Sequence, residues 1–191
     1  MRTRRSTALR GLLAAGATAG LVAALGSGSP ASADGGAQVP ASTAKTISMR
    51  STPVLQFTGS TSVASGQPLR IRNLSNPREH GPHTFTLVAS NVVPQSPKAM
   101  KDCFTPGKIC LIAATAHEFD PKTEKLDRPL VEAGKIGWDK RFSRVSRKGD
   151  SWYSEKKNEE FSQVVSSAPG TILRYMCIVH PEMQGKIRVT G

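Results

Sequence analysis

The segment at residues 171–190 constrains the fold of this chain more than any other. Two runs, 171–177 and 186–189, place a large apolar residue at nearly every second position on either side of a short turn. Such alternation is typical of β-strands that bury one face. We therefore expect two adjacent, half-buried strands joined by the turn.

The turn carries three side chains that can bind a metal ion. Cys177, His180 and Met183 occupy positions i, i+3 and i+6, and Pro181 restricts the backbone between the last two. Taken singly, a cysteine is more often a buried thiol and a methionine is more often core filler. Together, a thiolate, an imidazole and a thioether on one loop are donors of a mononuclear blue-copper site, which needs a second imidazole from elsewhere.

The second imidazole has two candidates, His80 and His83. His83 is followed directly by the apolar alternation of a strand, whereas His80 lies three residues earlier in a turn-like stretch. Because a ligand has to be held on a rigid element, we prefer His83 and leave His80 as the alternative. The predicted metal ligands are then His83, Cys177, His180 and Met183.

At these residues the chain resembles the small exported cupredoxins, the superfamily that includes plastocyanin, azurin and amicyanin. The order Cys-x-x-His-Pro-x-Met at 177–183 is most similar to the short ligand loop of amicyanin. Pro82-His83 followed by Phe85 and Leu87 resembles the upstream ligand strand. The resemblance implies a cupredoxin-like Greek-key β-sandwich with one type 1 copper ion, and a protein that carries single electrons outside the cytoplasm.

Two features depart from that pattern. His83 and Cys177 are 94 residues apart, which is long for a minimal member, so residues 115–160 look like an insertion. This stretch is highly charged, and we expect it to form a short helix or an irregular excursion over one face of the sandwich. In addition, Thr84 stands where relatives often place an asparagine that braces the ligand loop, and its hydroxyl can still serve there.

The remaining segments predict an all-β fold. Runs of β-branched and apolar residues are punctuated by Gly, Pro and Asn without a strong helical period, which favours a β-sandwich. Besides the C-terminal pair, we expect strands at 46–58, 68–73, 83–90 and 109–114. Trp138 and Trp152 are expected to anchor the inserted stretch by packing. His117 and Met100 are expected to be ordinary surface residues.

The N-terminus has the features of an export signal. Four arginines and no acidic residue precede an apolar run at 11–25 and an Ala-x-Ala sequence. That run is shorter than the roughly 20 residues needed to span a bilayer. We expect a cleaved signal peptide at 1–33, a flexible leader at 34–45 and a copper-binding domain at 46–191, located in the periplasm, cell envelope or extracellular space. The export route, general or twin-arginine, stays open.

The mature protein is expected to be basic. Removal of residues 1–33 lowers the formal charge from +12 to +8, because four of the 26 basic residues leave and all 14 acidic residues stay. The basic residues are not interleaved with aromatic ones in a nucleic-acid-binding module, which argues against nucleic acid as a partner. For an exported monomer we expect redox partner proteins with acidic docking surfaces.

The three cysteines divide into a pair and a remainder. Cys103 and Cys110 are close enough in sequence to form a small disulfide loop in an oxidising compartment. Cys177 is left as a spare thiol, which outside the cell oxidises or cross-links two chains unless something protects it. A bound metal ion would protect it.

Composition and spacing argue against two classes of enzyme. A multicopper oxidase needs several His-x-His pairs, and the chain has four histidines in total. A cysteine hydrolase built on Cys177 and His180 lacks a recognisable orienting group and oxyanion donor. We expect no enzymatic activity. The alternative to an electron carrier is an exported protein that buffers copper or delivers it to an oxidase, although such carriers usually have Met-rich or paired-Cys sites.

Overall fold

The structure is a computed structural model that describes residues 43–132 and 137–191. The signal peptide expected at 1–33 lies outside the described residues, as does most of the leader expected at 34–45. This division of the chain stays a prediction. Within the described residues, no helix is long and apolar enough to cross a membrane.

Most of the regular structure in the described ranges consists of short strands. The strands are β1 (Lys45–Arg50), β2 (Gln56–Gly59), β3 (Ser62–Ala64), β4 (Pro68–Asn73), β5 (His83–Val88), β6 (Phe119–Asp120), β7 (Lys125–Leu126), β8 (Leu130–Val131), β9 (Ser151–Ser154), β10 (Glu160–Val164), β11 (Ile172–Met176) and β12 (Gln184–Thr190). The helices are α1 (Pro77–His80), α2 (Pro97–Lys101) and α3 (Ile109–Ala116), with 3-10 turns at Ser90–Val92 and Asp102–Phe104.

Ten of these strands form two sheets. One sheet has the order β10-β4-β1-β2 and the other has the order β3-β12-β11-β5-β9-β8, while β6 and β7 pair separately. Successive strands repeatedly change sheet, as at β2 to β3 and β4 to β5, which is how Greek-key sandwiches are connected. The predicted all-β sandwich is confirmed.

The predicted C-terminal strand pair is confirmed as β11 and β12. The two strands are antiparallel, with Ile172 opposite Arg188 and Met176 opposite Gln184. On β12 the side chains of Ile187 and Val189 are buried, whereas those of the alternating basic residues are exposed. This period of two places the apolar face of the pair against the other sheet.

Aromatic rings fill the space between the two sheets. The ring of Phe85 lies 4.7 Å from that of Tyr175 and 5.0 Å from that of Trp138, measured between centroids. Trp138 is fully buried and Trp152 is 7% exposed in the same cluster. The prediction that both tryptophans act as packing anchors is therefore confirmed.

The segment expected as a strand at 109–114 is instead the helix α3 (Ile109–Ala116). Its buried residues are Ile109, Cys110, Ala113 and Ala114, which lie on one face at the spacing of a helix. The β-branched residues of this segment suggested a strand, whereas its alanines have a high helix propensity. Burial of one face of the segment stabilises the helix. The predicted disulfide between Cys103 and Cys110 is formed and links α3 to the preceding 3-10 turn.

The expected insertion at 115–160 contributes to the sandwich itself. It contains β8 and β9, and β9 pairs directly with β5, with His83 opposite Ser154 and Phe85 opposite Trp152. The prediction of a helical or irregular excursion was wrong for this part, because Ser151–Ser154 is buried on both faces and shows no alternation. The single strand expected at 46–58 is also two strands, β1 and β2.

Candidate metal centre

Two neighbouring strands of the larger sheet bring the predicted ligands together. β5 begins at His83, and Cys177 directly follows the end of β11. Because these strands are antiparallel, with Met176 opposite Thr86, the start of one lies beside the end of the other. The turn from β11 to β12 then returns His180 to the same place.

Three potential ligand atoms converge at this point. The Sγ atom of Cys177 lies 3.6 Å from Nδ1 of His180 and 3.9 Å from Nδ1 of His83. One ligand atom from each residue lies within 4.8 Å of the other two, and the two imidazole rings are 4.6 Å apart between centroids. His83 and Cys177 are fully buried, whereas His180 is partly exposed.

These distances are suitable for a metal ion between the three atoms. Metal–sulfur and metal–nitrogen bonds of about 2.3 and 2.0 Å, set at 120°, separate their donor atoms by about 3.7 Å. The two observed sulfur–nitrogen distances, 3.6 and 3.9 Å, lie on either side of that value. The donor set, one thiol and two imidazoles, also suits copper or zinc better than a hard cation.

In the absence of a metal, burial favours the uncharged form of all three groups. Burial and, to a smaller extent, the nearby imidazoles of His180 and His80 lower the pKa of His83 from 6.5 to about 4. Burial likewise lowers the pKa of His180 and raises that of the Cys177 thiol. Metal binding at neutral pH would therefore displace the thiol proton, and the resulting thiolate would neutralise part of the metal charge.

Thr84 holds the cysteine and the following loop in place. Its backbone N–H donates a hydrogen bond to Sγ of Cys177 at 3.3 Å. Its hydroxyl oxygen accepts a hydrogen bond from the backbone N–H of Ile178 at 2.8 Å. The hydroxyl of Thr84 thus braces the loop, in the role that the sequence left open for it.

Met183 closes the ligand turn through its backbone. Its carbonyl accepts a hydrogen bond from the N–H of Cys177 at 3.0 Å, and its N–H donates to the carbonyl of His180 at 2.9 Å. The side chain is fully buried in the same apolar cluster as Cys177. The part of Met183 as a fourth ligand stays a prediction.

The structure separates the two candidate upstream imidazoles. The His80 side chain lies on α1, one-third exposed, with its Nε2 atom 3.8 Å from a carboxylate oxygen of Glu79. It is outside the group formed by His83, Cys177 and His180. The backbone of His80 nevertheless lies close enough to His180 to partly offset the lowering of its pKa by burial.

One edge of the site reaches the surface. Val179, His180 and Pro181 are partly exposed, as is Pro82 beside them. An apolar cavity of about 360 Å³ adjoins this edge, and its walls include Val179, Pro82 and Phe104. Part of the surface next to this edge of the site is therefore apolar.

Sequence reasoning placed His117 wrongly. The residue is fully buried rather than on the surface, at the C-terminal end of α3. Its Nδ1 atom lies 2.5 Å from the carbonyl oxygen of Arg128, and its Nε2 atom lies 2.7 Å from the hydroxyl of Ser151. The sequence did contain an indirect sign that a polar partner such as His117 is buried. Thr84 and Thr86 are two polar residues on one face of an otherwise apolar strand, and buried polar residues need hydrogen-bond partners. Met100, on α2, is half-buried.

Several solved structures are similar to most of this chain at low sequence identity. A purple cupredoxin from Nitrosopumilus maritimus has 12% sequence identity and a TM-score of 0.39, with 76% of this chain and 98% of that chain covered. Auracyanin A from Chloroflexus aurantiacus, described as a "blue" copper protein, has 19% identity and a TM-score of 0.39, covering 77% and 99%. An auracyanin from Roseiflexus castenholzii has 14% identity and a TM-score of 0.39, covering 78% and 98%.

No family model and no curated protein sequence matches the chain. At these identities the likeness concerns the fold, and the chemistry has to be argued from the residues of this chain. The two-sheet sandwich and the group formed by His83, Cys177 and His180 agree with the resemblance to cupredoxins seen in the sequence. They support a copper-binding protein of that kind.

Proposed function

We propose that the protein is a type 1 copper protein that carries single electrons outside the cytoplasm. The observation that supports this most directly is the convergence of a ring nitrogen of His83, Sγ of Cys177 and a ring nitrogen of His180 within 4.8 Å of one another. Met183, buried in the same cluster, is the proposed weak axial ligand. When bound, copper supplies a one-electron couple between its two oxidation states.

The surroundings of the site favour rapid electron transfer. Cys177 is held by the backbone N–H of Thr84, and the loop after it is held by the Thr84 hydroxyl. Ligands fixed by such contacts move little when the charge of the metal changes, so little reorganisation accompanies each transfer. Full burial of Cys177 and His83 also excludes water from the thiolate side.

The exposed edge of His180 is the proposed route for electrons. This imidazole is partly exposed between Val179 and Pro181, and Val179 also lines an apolar cavity on which a partner can pack. The basic charge of the chain favours redox partners with acidic docking surfaces. We expect the protein to act as a monomer in the periplasm, cell envelope or extracellular space, and to catalyse no reaction by itself.

Copper titration of the mature protein tests this function. We expect one equivalent of cupric ion to give an intense blue colour, produced by the thiolate–copper bond, that disappears on reduction and returns on oxidation. Cys177→Ser should abolish the colour. A colourless complex that readily releases cuprous ion would contradict the electron-carrier proposal and favour copper buffering or delivery.

A matched pair of histidine variants tests the ligand assignment. His83→Ala should abolish the blue band because it removes one of the three converging donors. His80→Ala should retain the band, because that side chain lies next to Glu79 outside the group. The reverse result would show that His80 is the upstream ligand.

A further inference from the structure

A cleft of about 480 Å³ lies between α2, the start of α3 and the loop at 143–148. Part of its wall is apolar: Val92, Val93 and Ile112 are partly buried and pack against the core cluster that contains Ile109. Small-molecule sites in proteins have volumes of roughly 300–1,000 Å³ and mostly apolar walls. The cleft is therefore large enough for a small organic molecule. We call it the basic cleft, because of the charges described next.

Three cationic side chains from three parts of the chain line the basic cleft. Lys98 belongs to α2, Lys108 directly precedes α3, and Arg144 lies in the loop at 143–148. All three are exposed, so they form the rim of the cleft above its apolar wall. They are far apart in the sequence, and only the tertiary structure brings them to one cavity.

The charge of the basic cleft stays positive after its internal ion pair is counted. Asp102 is the one acidic residue among the described residues that line it, and its carboxylate pairs with Nζ of Lys98. Lys108 and Arg144 form no ion pair with another described residue. Three cations and one carboxylate leave two positive charges. A phosphate monoester carries a charge of about −2 at neutral pH, which complements them.

The walls of the basic cleft are held in place on two sides. Cys103 lines the cleft and forms the disulfide with Cys110 in α3. On the other side, Nε2 of Gln184 donates hydrogen bonds to the carbonyls of Pro94 and Pro181, both at 2.7 Å, and Pro94 lines the cleft. Walls that are fixed before a ligand arrives lose little conformational entropy on binding.

We propose that the basic cleft binds an organic phosphate, that is, a phosphate monoester with a small apolar body. The phosphate contacts Lys108 and Arg144 at the rim. A guanidinium can donate two parallel N–H bonds to phosphate oxygens, and a lysine adds a point charge. The apolar body packs against Val93 and Ile112. The site is separate from the candidate metal centre, whose three converging donors are not among its lining residues.

Calorimetric titration of the metal-free protein with three probes tests the ligand class. Phenyl phosphate has both an apolar body and a phosphate, whereas inorganic phosphate and phenol each have one of the two. Phenyl phosphate should bind more tightly than either, because it uses the apolar wall and the cationic rim together. In nitrogen-15 NMR spectra, its addition should shift the backbone signals of Val93 and Ile112. No copper is used, so the outcome is independent of the proposed electron-carrier function.

Three charge variants of the basic cleft give effects of opposite sign. Arg144→Gln and Lys108→Gln should each weaken the binding of phenyl phosphate about fivefold, which is the effect of losing one partly exposed ion pair. Asp102→Asn should strengthen binding, because it removes the negative charge from the cleft. All three side chains lie at the rim, so urea unfolding should show that the variants keep their fold.

Arg147→Gln is the matched control. Arg147 lies in the same loop as Arg144 but lines a different cavity of about 290 Å³ with Leu111 and Thr115. The substitution changes the net charge by the same amount and should leave the affinity for phenyl phosphate unchanged. The proposal is overturned if Arg147→Gln weakens binding as much as Arg144→Gln does, or if inorganic phosphate or phenol binds as tightly as phenyl phosphate.

The phosphate can be presented by a soluble molecule or by the headgroup of a lipid. Cosedimentation with phosphatidylcholine vesicles that contain phosphatidic acid, which is a phosphate monoester, separates the two sources. Cosedimentation that is lost in Arg144→Gln and retained in Arg147→Gln would assign the lipid. With phenyl phosphate bound as expected, absence of cosedimentation, or its persistence in Arg144→Gln, would assign a soluble molecule.

Discussion

At the residue scale, the behaviour of the site depends on how Cys177 is surrounded. Burial raises the pKa of its thiol, while hydrogen bonds from Thr84 and from the ligand loop lower it. The free thiol is thus inert, and a metal ion that can displace its proton converts it into a strong ligand. Copper loading is therefore expected to release protons and to weaken as the solution becomes more acidic.

Met183→Leu tests the weak fourth ligand. Leucine has a similar volume, so the substitution should cost less than about 1.5 kcal/mol in the free energy of unfolding of the metal-free protein. Copper should remain bound by the other three donors, but the reduction potential should rise because the thioether no longer stabilises the oxidised ion. Cyclic voltammetry and denaturant unfolding measure the two effects.

Met49→Leu is the matched control for that variant. Met49 is also fully buried in the same apolar cluster, but it lies on β1 in the other sheet. It should change stability by a similar amount and leave the potential unaltered. Complete loss of copper from Met183→Leu, or an unchanged potential, would rule out the axial role.

At the element scale, the helix α3 and its disulfide form the support for His117. Cys110 lies in the first turn of α3 and bonds to Cys103, while His117 caps the other end of the helix. The backbone N–H of His117 donates to the carbonyls of Ala113 and Ala114. The helix therefore fixes the imidazole that forms a hydrogen bond with the hydroxyl of Ser151.

The double variant Cys103→Ala/Cys110→Ala tests the contribution of this disulfide. The bond joins residues 7 apart, and closing a loop of this size stabilises the fold by about 2.5 kcal/mol through the entropy of the unfolded chain. We expect a loss of that order in urea unfolding of the metal-free protein. Copper colour should persist, because neither cysteine contributes a donor to the site.

Chemical reduction separates the cross-link from the packing of the sulfur atoms. Wild-type protein kept metal-free and reduced should lose about the same stability as the double variant, because both lack the closed loop. A much smaller loss on reduction would show that packing of the two buried cysteines, rather than loop closure, accounts for the effect.

At the scale of the whole molecule, buried ionisable groups make stability depend on pH in opposing ways. The pKa of His83 is lowered to about 4, and those of His117 and His180 are also lowered, chiefly by burial. Burial raises the pKa of Asp150 from 3.8 to about 6, although it accepts hydrogen bonds from two backbone N–H groups. Asp150 contributes stability that is lost as pH rises from about 4 to 6.

In the metal-free protein, His83 makes the free energy of unfolding change with pH in the opposite direction. Between about pH 4 and 6.5 the unfolded chain binds a proton at this imidazole and the folded chain does not, so stability falls as the pH falls. The contribution is on the order of 3 kcal/mol across this window. Urea unfolding at a series of pH values should therefore show that the free energy of unfolding depends less steeply on pH in His83→Gln than in the wild type.

His80→Gln is the control for that pH series. Its side chain is one-third exposed next to Glu79, so its removal should leave the slope close to that of the wild type. Equal slopes for His83→Gln and the wild type would contradict the expected cost of charging the buried imidazole.

The C-terminal ligand loop could be predicted from the sequence, and so could the strand that starts at His83. Both depend on local spacing: alternation around the turn, and three donors at i, i+3 and i+6. The helix at Ile109–Ala116 and the strand at Ser151–Ser154 could not be predicted in this way. Their conformations follow from burial against other elements, which leaves little or no alternation in the sequence.

The sequence by itself determined which kinds of donor atom the site contains. It also determined the turn that carries Cys177 and His180, because covalent connectivity keeps these two residues together. The tertiary structure decided which distant imidazole joins them, since antiparallel pairing of β5 with β11 selects His83 over His80. It also decided that His117 is buried against the hydroxyl of Ser151. Contacts between residues far apart in the chain are created by packing, and no local pattern specifies them.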